Sequence, residues 1–201
     1  ISAISINTLH SLTVTETNVA WANNLILNLL NDVNVKILPA KNLAINDVDD
    51  YIFGASTKGH TFTISKVDNN DLMAIDGGNQ SDTVIFNPNT PNLPSPVNIT
   101  LNPNSINSDN IDLAYGNNTI ELRNIEKVWV GDGDHNITVN TPSIELHSGD
   151  GNDTIVGKSE DIKLYGGAGT DTITGNAAQN RLYGEEGNDT LEVTGGTIQT
   201  G

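Results

Sequence analysis

The sequence predicts an all-β chain in which short strands stack coil upon coil, and three observations carry that reading. Three copies of one nonapeptide, Ser148-Gly-Asp-Gly-Asn-Asp153-Thr-Ile-Val, Gly166-Gly-Ala-Gly-Thr-Asp171-Thr-Ile-Thr and Gly184-Glu-Glu-Gly-Asn-Asp189-Thr-Leu-Glu, follow one another at 18-residue spacing. Each couples a glycine-rich turn to a three-residue strand with one apolar side chain at its centre, a pattern of stacked parallel coils. Much of the rest alternates apolar and polar residues with the period of a strand.

Taken in order, residues 1–75 form a β-rich N-terminal region. Ile4-Ser-Ile, Leu12-Thr-Val-Thr15, Val33-Asn-Val-Lys-Ile37, Tyr51-Ile-Phe53 and Thr61-Phe-Thr-Ile64 read as strands. Val19–Leu30 has the apolar clustering and length of a short helix, placed near residues 18–31. The region either continues the stack with less regular coils or forms a small module of its own, and the absence of an obvious linker favours continuity. Residues 76–201 form the second region. Asp76-Gly-Gly-Asn-Gln-Ser-Asp82-Thr-Val-Ile-Phe86 reads as a further nonapeptide, and Val97-Asn-Ile-Thr-Leu101 as a strand inside an Asn/Pro-rich insertion at about 87–111. The pattern is most regular at 130–192.

The turns carry the chemistry. If nine residues make half a coil, positions 18 apart stack directly, so the turns at Ser148–Asp153, Gly166–Asp171 and Gly184–Asp189 share one edge. Counting back 18 residues adds Val130-Gly-Asp-Gly-Asp-His135-Asn-Ile-Thr, with His135 in the slot of the Asp. Glycine supplies left-handed backbone and leaves carbonyls free to face an ion, while the Asp at the sixth position adds charge. A hard cation such as Ca²⁺ takes roughly six to eight oxygens, more than one turn offers, so each ion is expected between two turns. The candidate metal residues are Gly131, Asp132, Gly133 and Asp134 in the first turn and Gly149, Asp150, Gly151 and Asp153 in the second. Gly166, Gly167, Gly169 and Asp171 follow in the third, and Gly184, Glu186, Gly187 and Asp189 in the fourth. The apolar residue at position eight, Ile155, Ile173 or Leu191, points inward. The intervening half-coils keep Leu146, Leu164 and Leu182 there but mostly lose the glycines and the Asp. Calcium is therefore expected along one edge, the other being closed by packing and, at Asn180, by an amide.

These residues resemble the RTX, or hemolysin-type calcium-binding, repeat family. The resemblance implies a right-handed parallel β-roll with calcium in the glycine-rich turns. It reaches upstream, since Leu122-Arg-Asn-Ile-Glu126-Lys-Val-Trp-Val-Gly131 is similar to the phrase that leads into such repeats in large secreted bacterial proteins. It covers about residues 76–201.

Composition agrees with a calcium protein outside the cell. Twenty-five acidic against nine basic residues give a net charge of −16, and cysteine is absent. Mutual repulsion among the carboxylates weakens a compact state that has no counter-ion, and metal can staple a chain that has no disulfides. The charge argues against nucleic acid and anionic membranes as partners. No stretch is long and apolar enough to insert in a bilayer. The first residue is not Met and the chain stops where another turn is due, so it reads as a segment of something longer.

No catalytic arrangement is visible. His10, His60, His135 and His147 stand in no His-Glu-x-x-His pattern, and no Ser stands in Gly-x-Ser-x-Gly. His135 reads either as a weakened calcium-edge residue or as a solvated turn histidine, and His147 as simply exposed. Trp21 and Trp129 read as packing residues. Outward Thr rows suggest ice binding only weakly, because Asp132, Asp150, Ala168 and Glu186 occupy the third turn positions. The expectation is a non-enzymatic, calcium-binding structural segment of a secreted cell-surface protein, of S-layer or adhesin type, exported by a type I route. Its expected partners are calcium ions, neighbouring domains of the same longer chain and copies of itself in a surface lattice. The alternative is the accessory calcium-binding region of a secreted hydrolase or pore-forming toxin.

Overall fold

The computed structural model describes residues 2–6, 11–14, 25–29, 34–37, 50–54, 61–64, 73–78, 80–86, 97–104, 110–115, 118–194 and 197–198. Within them the chain is all strand: β1 (Ser2–Ile6), β2 (Ser11–Val14), β3 (Leu25–Leu29), β4 (Asn34–Ile37), β5 (Asp50–Gly54), β6 (Thr61–Ile64), β7 (Met73–Asp76), β8 (Thr83–Phe86), β9 (Val97–Pro103), β10 (Ile111–Tyr115), β11 (Asn118–Arg123), β12 (Lys127–Trp129), β13 (His135–Val139), β14 (Glu145–His147), β15 (Thr154–Gly157), β16 (Lys163–Gly169), β17 (Thr172–Gly175), β18 (Arg181–Gly187), β19 (Thr190–Val193) and β20 (Thr197–Ile198).

Successive strands go to alternate sheets. One sheet runs β1-β3-β5-β7-β11-β10-β9-β13-β15-β17-β19, the other β2-β4-β6-β8-β12-β14-β16-β18-β20. Pairing is parallel throughout except where β10 lies antiparallel between β9 and β11. That meander begins inside the Asn/Pro-rich insertion with β9, continues past it through β10 and β11, and gives the first sheet two strands with no counterpart in the second. From β12 to β19 the register advances by 18 residues at each step, as in Thr154↔Thr172↔Thr190 and Glu145↔Lys163↔Arg181. Nonapeptide half-coils therefore stack as the repeat spacing requires.

The strands before residue 75 enter the same two sheets, with longer steps such as Ser2↔Leu25 and Val35↔Phe62. This corrects the expected helix near 18–31. Leu25–Leu29 is β3, paired in parallel with β1 and β5, and the rest of that segment lies outside the described residues. A short apolar run such as Leu25-Ile-Leu27 satisfies a buried strand as well as a helix face, and lateral pairing decides between them.

The core lies between the sheets. Ile137, Ile155 and Ile173 from the first face Val128, Leu146, Leu164 and Leu182 from the second, all nearly or fully buried, with Ile99, Leu101, Leu113 and Leu122 continuing it under the meander. Each such side chain contributes about 1.5–3 kcal/mol of burial. This packing holds the two edges, and hence the turns, in fixed register.

Candidate metal centre

Four turns, 130–135, 148–153, 166–171 and 184–189, carry the chain from the second sheet to the first along one edge. Their second residues, Gly131, Gly149, Gly167 and Glu185, have φ of 90°, 91°, 104° and 71°, and their fourth, Gly133, Gly151, Gly169 and Gly187, 119°, 145°, 147° and 140°. Glycine tolerates these values without strain, whereas Glu185 holds a left-handed conformation that costs an L-residue about 1–2 kcal/mol. Stacking imposes a second demand. A Cβ at Gly149 would overlap the carbonyl oxygen of Gly131, one at Gly167 that of Gly149, and one at Gly169 that of Gly151, so these carbonyls pass directly over the next turn.

The sixth position joins the turns. Asp153 Oδ1 accepts the His135 N–H at 2.8 Å, Asp171 Oδ1 the Asp153 N–H at 2.8 Å, and Asp189 Oδ1 the Asp171 N–H at 3.0 Å. Third and fifth positions reach the other way. Asp132 accepts the Asp150 N–H at 3.2 Å, Asp134 the Asn152 N–H at 2.8 Å, and Asn152 the Thr170 N–H at 3.0 Å. Asp150 and Glu186 are exposed, and each lies beside Ala168 in the parallel ladder. Gly166 and Gly184 serve otherwise: Asp171 Oδ2 lies against Gly166 and Asp189 Oδ2 against Gly184, where a Cβ would leave no room.

The second carboxylate oxygens of Asp153 and Asp171 are buried and accept no hydrogen bond. An uncompensated buried carboxylate costs several kcal/mol. For Asp171, burial pushes the pKa up to about 6, with the charges of Asp153, Asp189 and Glu185 adding to the rise against the backbone hydrogen bond that lowers it. Among the described residues no three His, Asp or Glu side chains converge on one point. A cation here would thus take most of its oxygens from the stacked glycine carbonyls and one or two from carboxylates, a hard-oxygen set that suits Ca²⁺.

The opposite edge is built differently. Its turns place one residue in the left-handed region, Asn124, Ser143, Asp161 or Gln179, at φ of 51–63°. Asn180 Oδ1 accepts the Ile162 N–H at 3.3 Å, so an amide occupies the slot that Asp171 fills across the molecule. The turn at Gly77–Asp82 also lies on this edge, between β7 and β8, rather than in line with the other glycine turns. There Gly78 has φ 99° and Asp82 is buried, its N–H donated to Glu126 Oε2 at 2.7 Å. Burial and the charge of Asp82 raise the pKa of Glu126, against the hydrogen bond from the Asp82 N–H.

Two histidine readings need correction. His135 is not solvated: it is 1% exposed, and its Nδ1 donates to Asp153 Oδ1 at 3.1 Å. His147 is half-buried in a stack the sequence reading missed, Trp129–His147–Tyr165–Tyr183, with ring centroids 4.2–4.3 Å apart. Trp129, at its end, is 43% exposed. The signal was available, since the four residues stand 18 apart. Beside the stack, Glu145 accepts hydrogen bonds from His147, Lys163 and Lys127; burial alone would raise its pKa, but these bonds hold it down to about 2.

Comparison with curated proteins and with solved structures gives no match. Residues 145–161 and 163–197 match the RTX calcium-binding nonapeptide repeat, in four copies. The match spans the second, third and fourth turns. Residues 145–161 and 163–197 therefore carry RTX calcium-binding nonapeptide repeats.

Proposed function

We propose that this chain is a calcium-binding structural segment of a secreted cell-surface protein, of S-layer or adhesin type, folding as a right-handed β-roll stiffened by calcium outside the cell. The observation that carries the calcium reading is the pair of buried oxygens, Asp153 Oδ2 and Asp171 Oδ2, that nothing in the protein satisfies. Calcium would be held between turns, by Asp153 and Gly166 in one gap and by Asp171 and Gly184 in the next, together with the neighbouring glycine carbonyls. It supplies the positive charge that a chain of net charge −16 lacks. Because each site takes residues from two turns, it does not exist in the unfolded chain, and binding energy becomes folding energy. The stacking of the described strands into two long sheets supports a structural part. Equilibrium dialysis of the full chain against calcium, with Asp171→Ala alongside, tests the reading: the wild type binds calcium and the variant binds less. Equal binding by the two would refute it.

A further inference from the structure

The gaps between turns are not alike. In the gap between turns 148–153 and 166–171 the Gly166 carbonyl accepts from the Ser148 hydroxyl, and the lower turn ends on Asp153, whose buried Oδ2 has no donor. In the gap between turns 166–171 and 184–189 it places Asp171 Oδ2 over the bare Cα of Gly166, beside the Gly184 carbonyl. Each of these two gaps holds a buried carboxylate oxygen without a donor.

The first gap, between turns 130–135 and 148–153, differs at both of the positions that define the others. Position six is His135, which has no carboxylate to lend. Position one is Val130, fully buried and branched, where the corresponding residues are Ser148, whose small hydroxyl donates to the Gly166 carbonyl, and Gly166, which has no side chain. The join between these turns is made by the protein itself, because Asp153 Oδ1 receives two donors from His135, the backbone N–H at 2.8 Å and Nδ1–H at 3.1 Å. Side chains at positions three and five close the outside of the same gap through Asp132 to Asp150 N and Asp134 to Asn152 N. An imidazole N–H directed at the Asp153 carboxylate does part of what a cation would do there.

We propose that the row of inter-turn calcium sites ends at this first gap, where the His135 imidazole, packed behind Val130, joins the turns in place of an ion. The inference rests on the calcium reading above and adds where the metal row stops. His135 is thus a positioning residue, holding Asp153 for the ion in the following gap. On this proposal Gly131, Asp132, Gly133 and Asp134 share the glycine backbone of the other turns without holding an ion in this gap.

The test counts ions on the full chain by calorimetry and native mass spectrometry, comparing wild type with Val130→Gly/His135→Asp. The double variant should bind one calcium more per chain than the wild type. Equal counts would overturn the proposal. A crystal of the wild-type chain grown in calcium gives a reading independent of any variant's folding: no ion between Gly131–Gly133 and Gly149–Gly151 supports it, and an ion there overturns it. Asp171→Ala separates the two ideas. If it loses no ion, the calcium reading itself fails, whatever the first gap contains.

Discussion

Replacing Asp171 by Asn should stabilise the calcium-free chain and weaken the calcium-bound one. The carboxylate is fully buried, one oxygen held by the Asp153 N–H and the other unanswered. Its pKa stands at about 6, against about 3.9 in an unfolded chain. A raised carboxylate pKa means stability that is complete below the unfolded value and lost as pH rises through the folded one. At pH 7.5 without metal the whole penalty is therefore present, about two pKa units or about 3 kcal/mol. Asn keeps the oxygen that receives the Asp153 N–H, as Asn180 does for Ile162 on the other edge, and removes the charge. Burying an amide N–H returns about 1 kcal/mol of cost, leaving a gain of about 2 kcal/mol. For a domain of this size that is a rise in Tm of about 4–8 °C. Thermal melts in EDTA and in saturating calcium read both signs. A variant less stable than wild type in EDTA would show that the buried charge is not the source of instability and would refute the reasoning.

Other expectations follow from the same geometry. In EDTA, stability should rise as pH falls from 7.5 towards 5, because Asp171 and Glu126 both have raised pKa values; saturating calcium should reverse that slope, and flat profiles in both buffers would contradict it. As pH falls from about 4.5, where an unfolded glutamate protonates, to about 2, where the folded Glu145 does, the stability it contributes with Lys127, Lys163 and His147 is lost, so Glu145→Gln should lower Tm at neutral pH by an amount that fades in acid. Glu185→Gly should raise stability by about 0.5–1 kcal/mol in denaturant melts by relieving its φ of 71°. Gly169→Ala, whose Cβ would overlap the Gly151 carbonyl, should cost more than Gly133→Ala, which meets no atom within 4 Å and bears backbone strain alone; equal losses would deny the close stacking.

The repeat region was legible because its rules are local. Glycine at positions two and four announces left-handed backbone, and the 18-residue spacing sets which turns stack. Position eight then names the core. What escaped sequence reading depends on neighbours distant along the chain. Leu25–Leu29 carries apolar residues that suit helix or strand, and only β1 and β5 decide for strand. Asp82 lies in a turn that resembles the others, yet the circuit it belongs to runs from β7 to β8 and sets it on the opposite edge. The meander β9–β10–β11 intervenes before the regular repeat begins, so counting back in steps of 18 fails there. Of the two readings of His135, calcium-edge residue or solvated turn histidine, the solvated one fails because it stands against the carboxylate of Asp153, one circuit on, and is buried there.

The central claim, that calcium completes the edge where Asp153 and Asp171 are buried, is tested most directly by titrating calcium into the full chain after EDTA treatment while following far-UV circular dichroism. A saturable, EDTA-reversible gain of β signal is expected, with Asp171→Ala needing more calcium to reach its midpoint. A spectrum already fully β in excess EDTA, unchanged by calcium and identical for the variant, would contradict it.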